Sequence, residues 1–420
     1  ESDFVFEYYD TFGIRKVINI LTFGNFCNDE IQVTIKAEDN LSGVDKIIYY
    51  TSSDEGGLNE LSYKGEISVN NDGEISFELP VGFEGYVFAK AIDKVGNVMQ
   101  NYVRAANKIT IEDDKPSIDI YIDGSNDNYD GWFGKVPAVE VKVQDNKSGI
   151  KQIDYIVKKE EEVISQDSFI LDNKLNTSYE FMVDFTNFRG LLSLKVIVID
   201  NAGNETTKEV VIKIDDTKPQ PPKVATDYDG AWTNKDIVYK IRMSKEDECK
   251  LLSGILRYEY RVFQRIEGSS KGKWTKWEEV ENKEDATLVI SGDKYQGEGK
   301  VQFRAVSNSG IEGDFTEKYE FKIDTEMVNK SKVSFDESIS QVNGWYRAKE
   351  IDAKISIEKE VNRSKNGFRY RVDKGEWSDY IFTEYEIALI DIKITGEGKH
   401  ILEVHSVDEA GNALDAEPEV

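Results

Sequence analysis

Four related phrases recur along this chain of 420 residues and decide its fold: AIDKVGNV (91–98), VIDNAGNE (198–205), AVSNSGIE (305–312) and SVDEAGNA (406–413). Their glycines follow one another at steps of 107, 107 and 101 residues. A second phrase, DNLSGV (39–44), returns as DNKSGI (145–150), LLSGIL (251–256) and KNGFRY (365–370). Because about 100 residues are enough to bury one core, a repeat of this length predicts an array of whole small domains.

Inside a repeat, apolar and polar residues alternate with a period of two. In IQVTIKAED (31–39) every second residue from Ile31 to Ala37 is apolar, and the residues between them are polar. This alternation indicates a strand with one buried face, and no stretch has convincing helical periodicity. Short strands separated by Gly, Asn and Asp turns predict an all-β chain of tandem immunoglobulin-like sandwiches.

The joints between repeats are marked by acidic residues followed by prolines. The opening FVFEYYDT (4–11) is similar to VVIKIDDT (210–217), which indicates that residues 1–11 are the last strand of an upstream repeat or a linker. We assign repeat 1 to 12–114, repeat 2 to 115–216, repeat 3 to 217–324 and repeat 4 to 325–420. Proline stiffens a linker, so the four prolines at the first two joints, Pro116, Pro219, Pro221 and Pro222, favour an extended rod.

Composition excludes several classes of protein. The net charge of −27 disfavours binding to nucleic acid or anionic membranes, and no apolar run is long enough to span a bilayer. The two histidines, His400 and His405, have opposite parity on one predicted strand and so point to opposite faces. No glycine-rich phosphate loop, nucleophile elbow or metalloprotease motif is present. We therefore expect a protein that is not an enzyme. Cys27 and Cys249 fall in repeats that are not neighbours, and we expect both to be free thiols.

Carboxylates at strand ends are the candidate metal ligands. Asp39 and Asp93 should converge at one end of repeat 1, and Asp145 and Asp200 at the same end of repeat 2. One interpretation is that each carboxylate accepts the backbone N–H groups of the turn it starts. The other is that the pairs bind Ca²⁺, which takes oxygen ligands from carboxylates and amides. The second interpretation involves Asp39, Asn40, Asp93, Asn97, Asp145, Asn146, Asp200 and Asn204. In repeat 3, Lys245 and Ser307 fill the two positions, and repeat 4 has Lys359 opposite Asp408.

Aromatic residues are the candidate ligand-binding groups. Trp274, Trp277, Trp377 and Tyr380 occur in hairpin-like segments of the last two repeats only, and could form an aromatic face for a ligand. Scattered surface aromatics are also common without any ligand. Trp345 belongs to a different set, at the turn before the second strand, where a tryptophan either covers the open end of a sandwich or stacks on sugar rings.

The second half of the chain resembles a known kind of module. DGAWTNKDIVYKI (229–241), GKWTKW (272–277) and FKIDT (321–325) look like the bacterial immunoglobulin-like (Big-type) tandem repeats of Gram-positive, Firmicute secreted and cell-surface proteins. The resemblance implies adhesin stalks, ligand-binding modules or accessory domains of secreted enzymes. Repeats 1 and 2 lack the Gly-Trp hairpin of this pattern.

These observations lead to one expected function and one alternative. We expect a non-catalytic, extracellular or cell-surface stalk or ligand-binding region of adhesin type, a monomeric rod whose partner is a host protein or glycan. No cofactor is certain, and Ca²⁺ is the one candidate. The alternative is a set of spacer or carbohydrate-binding modules of a large secreted glycan-degrading enzyme.

Overall fold

The computed structural model describes residues 3–9, 15–21, 26–105, 108–123, 130–171, 176–265, 272–281, 284, 286–336, 338–360, 363–414 and 418–419. Within these ranges the chain is almost entirely β-strand, with one short helix. The prediction of an all-β chain of tandem β-sandwiches is confirmed. None of the described segments is a helix that could cross a membrane.

Repeat 1 follows an additional strand, β1, which pairs antiparallel with the first strand of the repeat. The strands are β1 (Asp3–Tyr9), β2 (Arg15–Leu21), β3 (Phe26–Cys27), β4 (Ile31–Glu38), β5 (Val44–Ser52), β6 (Glu60–Ser68), β7 (Glu74–Leu79), β8 (Glu84–Asp93), β9 (Val103–Arg104) and β10 (Ile109–Ile111). One sheet has the order β1-β2-β4-β7. In the other, the order is β3-β10-β8-β5-β6, and β9 pairs with β8.

Repeat 2 contains the same two-sheet arrangement. Its strands are β11 (Ser117–Asp123), β12 (Trp132–Phe133), β13 (Ala138–Gln144), β14 (Ile150–Lys159), β15 (Glu162–Ile170), β16 (Ser178–Val183), β17 (Gly190–Asp200) and β18 (Glu205–Ile214). The sheets have the orders β11-β13-β16 and β18-β17-β14-β15.

Repeat 3 contains the one helix of the described chain. Its elements are β19 (Lys223–Ala225), β20 (Ile237–Arg242), α1 (Lys245–Glu248), β21 (Ile255–Arg265), β22 (Gly272–Trp274), β23 (Glu278–Glu279), β24 (Thr287–Ile290), β25 (Gly297–Ser307), β26 (Glu312–Phe315) and β27 (Tyr319–Ile323). The orders are β19-β20-β24 and β22-β21-β25-β26. In addition, β23 pairs with β21 and β27 with β25.

Repeat 4 adds a small hairpin to the same plan. Its strands are β28 (Lys332–Phe335), β29 (Gln341–Val342), β30 (Trp345–Tyr346), β31 (Glu350–Glu358), β32 (Asn366–Val372), β33 (Ile381–Phe382), β34 (Ile387–Thr395), β35 (Leu402–Asp408) and β36 (Pro418–Glu419). The sheets are β28-β31-β34 and β33-β32-β35-β36, and the hairpin is β29-β30.

The alternating residues fill the space between the two sheets of each repeat. In β4, Val33, Ile35 and Ala37 are buried as their parity predicts, and Val139, Val141 and Val143 do the same in β13. Burial of such aliphatic side chains is the main force that holds a sandwich together. The turn phrases of the sequence connect β4 to β5 and end β8, so both lie at one end of the sandwich.

The chain divides into two compact units, one made of Glu1–Asn126 with Lys135–Ile214 and one made of Asp127–Gly134 with Asp215–Val420. The joint between repeats 1 and 2 belongs to the first unit, and the joint between repeats 3 and 4 belongs to the second.

Candidate functional site

The two turns of repeat 1 are each capped by the aspartate that the sequence singled out. Asp39 Oδ2 accepts hydrogen bonds from the backbone N–H of Ser42 (2.8 Å) and Gly43 (2.7 Å). Asp93 Oδ1 accepts from the backbone N–H of Asn97 at 2.7 Å. The Ser42 hydroxyl lies within 2.9 Å of Oδ2 of both aspartates. The predicted convergence of Asp39 and Asp93 is therefore real, and a serine lies between the two carboxylates.

Hydrogen bonds compensate the two carboxylates of repeat 1. The Ser42 hydroxyl is the main reason why the pKa of Asp39 lies below its usual range, and the backbone N–H groups of the turn add to it. Burial on its own would raise the pKa of Asp93, but hydrogen bonds from Asn97 and Ser42 outweigh burial and lower it. Both groups are thus stabilised as carboxylates by the turn itself.

Repeat 2 has the same turns, but its carboxylates are more deeply buried. Asp145 Oδ1 accepts from the backbone N–H of Lys147 (3.1 Å) and Gly149 (2.5 Å). Asp200 Oδ1 accepts from the backbone N–H of Gly203 (2.6 Å) and Asn204 (2.7 Å). Asp145 is 4% exposed and Asp200 is fully buried, so these charges are shielded from water.

A third carboxylate, from the end of repeat 1, meets the two aspartates of repeat 2. Glu112 directly follows β10 and is 3% exposed. One oxygen from each of Glu112, Asp145 and Asp200 lies within 4.8 Å of the other two. We call these three residues the carboxylate cluster. Glu112 was not among the residues predicted from the sequence, because it belongs to the preceding repeat.

The carboxylate cluster shows the electrostatic cost of its burial. Burial raises the pKa of Glu112 against the opposing effect of the nearby Ser148 hydroxyl, and the charges of Asp200 and Asp145 raise it further. Burial also raises the pKa of Asp200 against the opposing hydrogen bonds of Asn204 and Gly203, and the charge of Asp145 adds to the rise. The pKa values of Glu112 and Asp200 are thus both raised, whereas those of Asp39 and Asp93 in repeat 1 are lowered.

Asn204 connects the same turn to the preceding repeat. Its Nδ2 group donates to Asp200 Oδ2 at 2.9 Å, and it lies 3.1 Å from the backbone carbonyl oxygens of both Glu112 and Asp114. Asn204 is buried, whereas the corresponding Asn97 of repeat 1 is exposed and donates to Asp93 Oδ2 at 2.7 Å. The asparagine of the recurring phrase thus stabilises the joint as well as the turn.

The second unit contains two further contacts of one kind, which we call acid–serine clasps. In the first, Asp215 Oδ2 accepts from the backbone N–H (2.8 Å) and the hydroxyl (2.6 Å) of Ser253. In the second, Asp324 Oδ2 accepts from the backbone N–H (3.1 Å) and the hydroxyl (2.8 Å) of Ser364. All four residues are buried. Asp324 follows the last strand of repeat 3 and Ser364 precedes β32 of repeat 4, so the second clasp joins these repeats.

The last joint also contains the asparagine contact and a basic residue. Asn412 Nδ2 donates to the backbone carbonyl of Asp324 and to Asp408 Oδ2, both at 2.8 Å. Arg363 Nη1 lies 3.7 Å from Asp324 Oδ1. A protein cation therefore offsets the acidic charge at this joint.

In repeats 3 and 4 the two lysines at the aspartate positions are exposed, and the second turn of each repeat keeps a capping residue. Lys245 is exposed at the start of α1, away from the core. Ser307 is buried and takes over the capping role, since its hydroxyl accepts from the backbone N–H of Ile311 at 3.1 Å. Lys359 is exposed, while Asp408 Oδ1 accepts from the backbone N–H of Asn412 at 2.8 Å.

One sequence alignment was wrong. The phrase KNGFRY places Gly367 at the turn glycine, but Gly367 lies within β32 and pairs with Phe382. The carbonyl of Lys365 accepts from the backbone N–H of Glu409, as the turn glycine Gly254 does from Asn308. The true counterpart of Ser-Gly is therefore Ser364-Lys365. The turn glycines of repeats 1 to 3 have φ of 74° to 78°, whereas Lys365 is not among the residues with positive φ, so a side chain is accommodated there.

The other predicted amide ligands do not join the carboxylate cluster. Asn40 and Asn146 are exposed in their turns. Both Asn97 and Asn204 direct an amide nitrogen, not an oxygen, toward the neighbouring aspartate. The geometry of all four turns agrees with turn capping, and metal binding stays a prediction.

The aromatic residues of repeat 3 are stacked with arginines. The Arg261 guanidinium lies 4.6 Å from the ring centre of Trp274, 4.7 Å from that of Trp277 and 4.9 Å from that of Phe315. Arg304 lies 4.4 Å from the centre of Trp277. Stacked arginines cover these rings in part and hold them through cation–π attraction.

Repeat 4 has an equivalent stack. Arg369 lies 4.8 Å from the ring centre of Trp377 and 4.9 Å from that of Tyr380. Arg371 lies 4.6 Å from Trp377 and is held by Glu403 through two hydrogen bonds of 2.7 and 2.9 Å. The structure therefore brings Trp377 and Tyr380 together, and a role for them in ligand binding stays a prediction.

Fold and joints together define a class: a tandem β-sandwich repeat protein. A family model described as a domain of unknown function (DUF7743) matches residues 134–231. Among solved structures, the chain is similar to a tetra-tandem repeat in the extending region of a large adhesion protein, with 15% identity, 95% of this chain and 96% of that chain covered, and a TM-score of 0.31. It is also similar to the FN1–FN3 domains of chicken CNTN1, with 15% identity, 71% and 96% covered, and a TM-score of 0.21. No curated protein matches the chain in sequence.

Proposed function

We propose that this chain is a non-catalytic spacer region of an extracellular surface protein of adhesin type. The observation that supports this role is the use of the recurring residues at the joints. Asp324 and Ser364 contact each other between repeats, and Asn204 and Asn412 reach back to the carbonyl groups of the preceding repeat. Contacts between consecutive repeats stiffen a tandem array, which suits a protein that must extend and resist bending. Such contacts have no direct use in catalysis.

The surface of the described residues agrees with such a role. Arginine guanidinium groups lie over the rings of Trp277 and Trp377, which leaves these rings less open to a ligand. The high negative charge keeps such a chain soluble at high local density on a surface. The ligand-binding function of the whole adhesin would then reside in other modules.

A binding screen tests this proposal. The fragment is immobilised and exposed to a glycan array and to matrix and serum proteins, with Ca²⁺ and then with a chelator. Absence of a saturable hit in both conditions supports a spacer. A specific hit would contradict the spacer role and assign ligand binding to these repeats.

A second candidate function is carbohydrate binding by repeat 4, as in accessory modules of a secreted glycan-degrading enzyme. It is favoured by Trp345, whose side chain is 60% exposed at the rim of a groove of about 880 Å³. Tyr346 and His400 also line the groove. An exposed ring beside polar groups is the arrangement by which aromatic residues take up sugars. If a glycan binds in the screen, loss of that binding in Trp345→Ala, with the exposed Tyr385→Ala of the same repeat as the control, would support this candidate.

A further inference from the structure

We infer that the carboxylate cluster at the joint of repeats 1 and 2 is a Ca²⁺ site that couples these two repeats. Glu112 comes from the end of repeat 1, and Asp145 and Asp200 come from two turns of repeat 2. A cation bound between them would contact both repeats at once. This inference concerns one joint only and stands independently of the proposed spacer function.

The charge at this joint is not balanced by the protein. Glu112, Asp145 and Asp200 are all at least nine-tenths buried, and no ion pair joins any of them to a basic side chain in the part of the chain that the structure describes. The charge of Glu112 contributes to the raised pKa of Lys147. The Lys147 side chain, however, forms its ion pair with Asp114 and is more than half exposed. Three buried carboxylates without a counter-ion are unfavourable unless a cation or protons compensate them.

Two unpartnered oxygens point to a ligand at this place. Glu112 Oε1 is buried and has no hydrogen-bond partner, although Glu112 Oε2 accepts from the backbone N–H of Asp114 at 3.0 Å. Ser148 is fully buried, and its hydroxyl lies beside the Glu112 carboxyl without a hydrogen bond of normal geometry. Since buried polar atoms are almost always partnered, both oxygens are the natural further ligands of a bound ion.

The two acid–serine clasps serve as internal comparisons for the carboxylate cluster. The serine equivalent to Ser148 is Ser253 or Ser364, and each of these donates its hydroxyl to the acid from the joint. In the repeat that contacts Asp215, the position of Asp200 is occupied by Ser307, so one carboxylate is absent. At the joint of Asp324, Arg363 Nη1 lies 3.7 Å from Asp324 Oδ1 and supplies a positive charge. Only the joint of repeats 1 and 2, among those described, combines three carboxylates, an unpartnered serine and no protein cation.

The donor set favours calcium over other divalent ions. Three carboxylates and a hydroxyl are hard oxygen ligands, and waters would complete the six to eight that Ca²⁺ takes. The donors come from three separate segments with irregular placement, which Ca²⁺ tolerates and Mg²⁺, with its strict octahedral demand, does not. No histidine or cysteine is in the cluster, so it is not a zinc-type site.

Calorimetric titration of the metal-free full chain with CaCl₂ tests the site, and Glu112→Gln is the informative variant. We expect saturable Ca²⁺ binding with a dissociation constant of about 0.1–1 mM, the range of extracellular modules, and at least a tenfold weaker constant in Glu112→Gln. Asp324→Asn, the matched change at the last joint, should leave Ca²⁺ affinity unchanged. Ser148→Ala gives a second variant that keeps every carboxylate and should weaken binding by a smaller factor.

The melting temperature gives an independent readout with a distinctive sign. In chelator, Glu112→Gln should melt above the wild type, because it removes one of three repelling charges. In Ca²⁺ the order should reverse. Absence of binding heat and of a melting shift at about 10 mM Ca²⁺ would overturn the proposal and leave shared protons as the compensation. Undiminished binding by Glu112→Gln would equally overturn it, since the ion would then bind elsewhere.

Discussion

Asp324 and Ser364, from consecutive repeats, are joined twice: one carboxylate oxygen of Asp324 accepts both the backbone N–H of Ser364 at 3.1 Å and its hydroxyl at 2.8 Å. Both residues are almost completely buried. Hydrogen bonds to a buried charged acceptor are stronger than neutral ones and costly to break. The contact therefore couples the end of repeat 3 to the start of the second sheet of repeat 4.

A double-mutant cycle measures this coupling. Asp324→Ala, Ser364→Ala and the double variant should give a coupling free energy of about 1–2 kcal/mol, because only the hydroxyl hydrogen bond is removed by the serine change. The readout is native-state hydrogen exchange of repeat 4 amides. Ser334→Ala, on an exposed position of the same repeat, is the control and should change nothing. A coupling free energy near zero would show that the clasp is not energetically linked.

The asparagine of the recurring phrase should matter more where it contacts a preceding repeat. Asn412→Ala should cost about 1–3 kcal/mol of unfolding free energy, because it removes the Nδ2 donor of Asp408 Oδ2 and of the Asp324 backbone carbonyl. Asn97→Ala removes the same side chain from an exposed turn and should cost less. Urea unfolding followed by hydrogen exchange compares the two. Equal costs would contradict the role of Asn412 at the joint.

The arginine–tryptophan stacks should stabilise their own repeats. Trp277→Ala removes the ring between Arg261 and Arg304 and should lower the stability of repeat 3 by about 1–3 kcal/mol. Trp277→Phe should recover part of the loss, because a smaller ring still accepts the cations. Hydrogen exchange in repeat 3 gives the measurement. A variant with unchanged stability that loses a bound ligand would instead assign Trp277 to recognition.

A pH dependence is expected in repeat 4. His400 Nδ1 lies 2.7 Å from Asp373 Oδ2, and this hydrogen bond raises the pKa of His400 while it lowers that of Asp373. Since the folded protein holds the proton more tightly, the pair stabilises repeat 4 fully below the ordinary histidine pKa of about 6.5. That stabilisation should be lost as pH rises through the folded pKa.

Thermal melts between about pH 5.5 and 8.5 check this dependence against His400→Gln. The difference in melting temperature between wild type and variant should shrink as pH rises. A difference that stays constant over this range would show that the ion pair with Asp373 contributes nothing.

The sequence predicted the class of fold and the turns, because both depend on local patterns. Strict alternation in 31–39 predicts β4, and the aspartate that ends it predicts a capped turn, as Asp39 confirms with its bonds to Ser42 and Gly43. The pairing of Asp145 with Asp200 also followed from parity and strand direction.

The joints could not be predicted in the same way, because they depend on contacts between residues that no local period connects. Glu112 is one of three acids shortly before Pro116, and the sequence of repeat 1 taken alone does not say which of them turns inward. Ser364 was missed because Lys365 replaces the turn glycine and shifted the alignment to Gly367. The signal that could have found Glu112 and Asp324 is the acid that follows the last apolar residue of each repeat.

The central claim is that the recurring residues couple consecutive repeats. Double electron–electron resonance, which measures the distance distribution between a spin label in repeat 3 and one in repeat 4, tests this claim most directly. Spin labels are placed at the exposed positions Lys240 and Lys354, after Cys27 and Cys249 have been changed to serine. The account predicts a narrow distance distribution in the wild type and a clearly broader one in Asp324→Ala. A distance distribution of the same width in the wild type and in Asp324→Ala would contradict it.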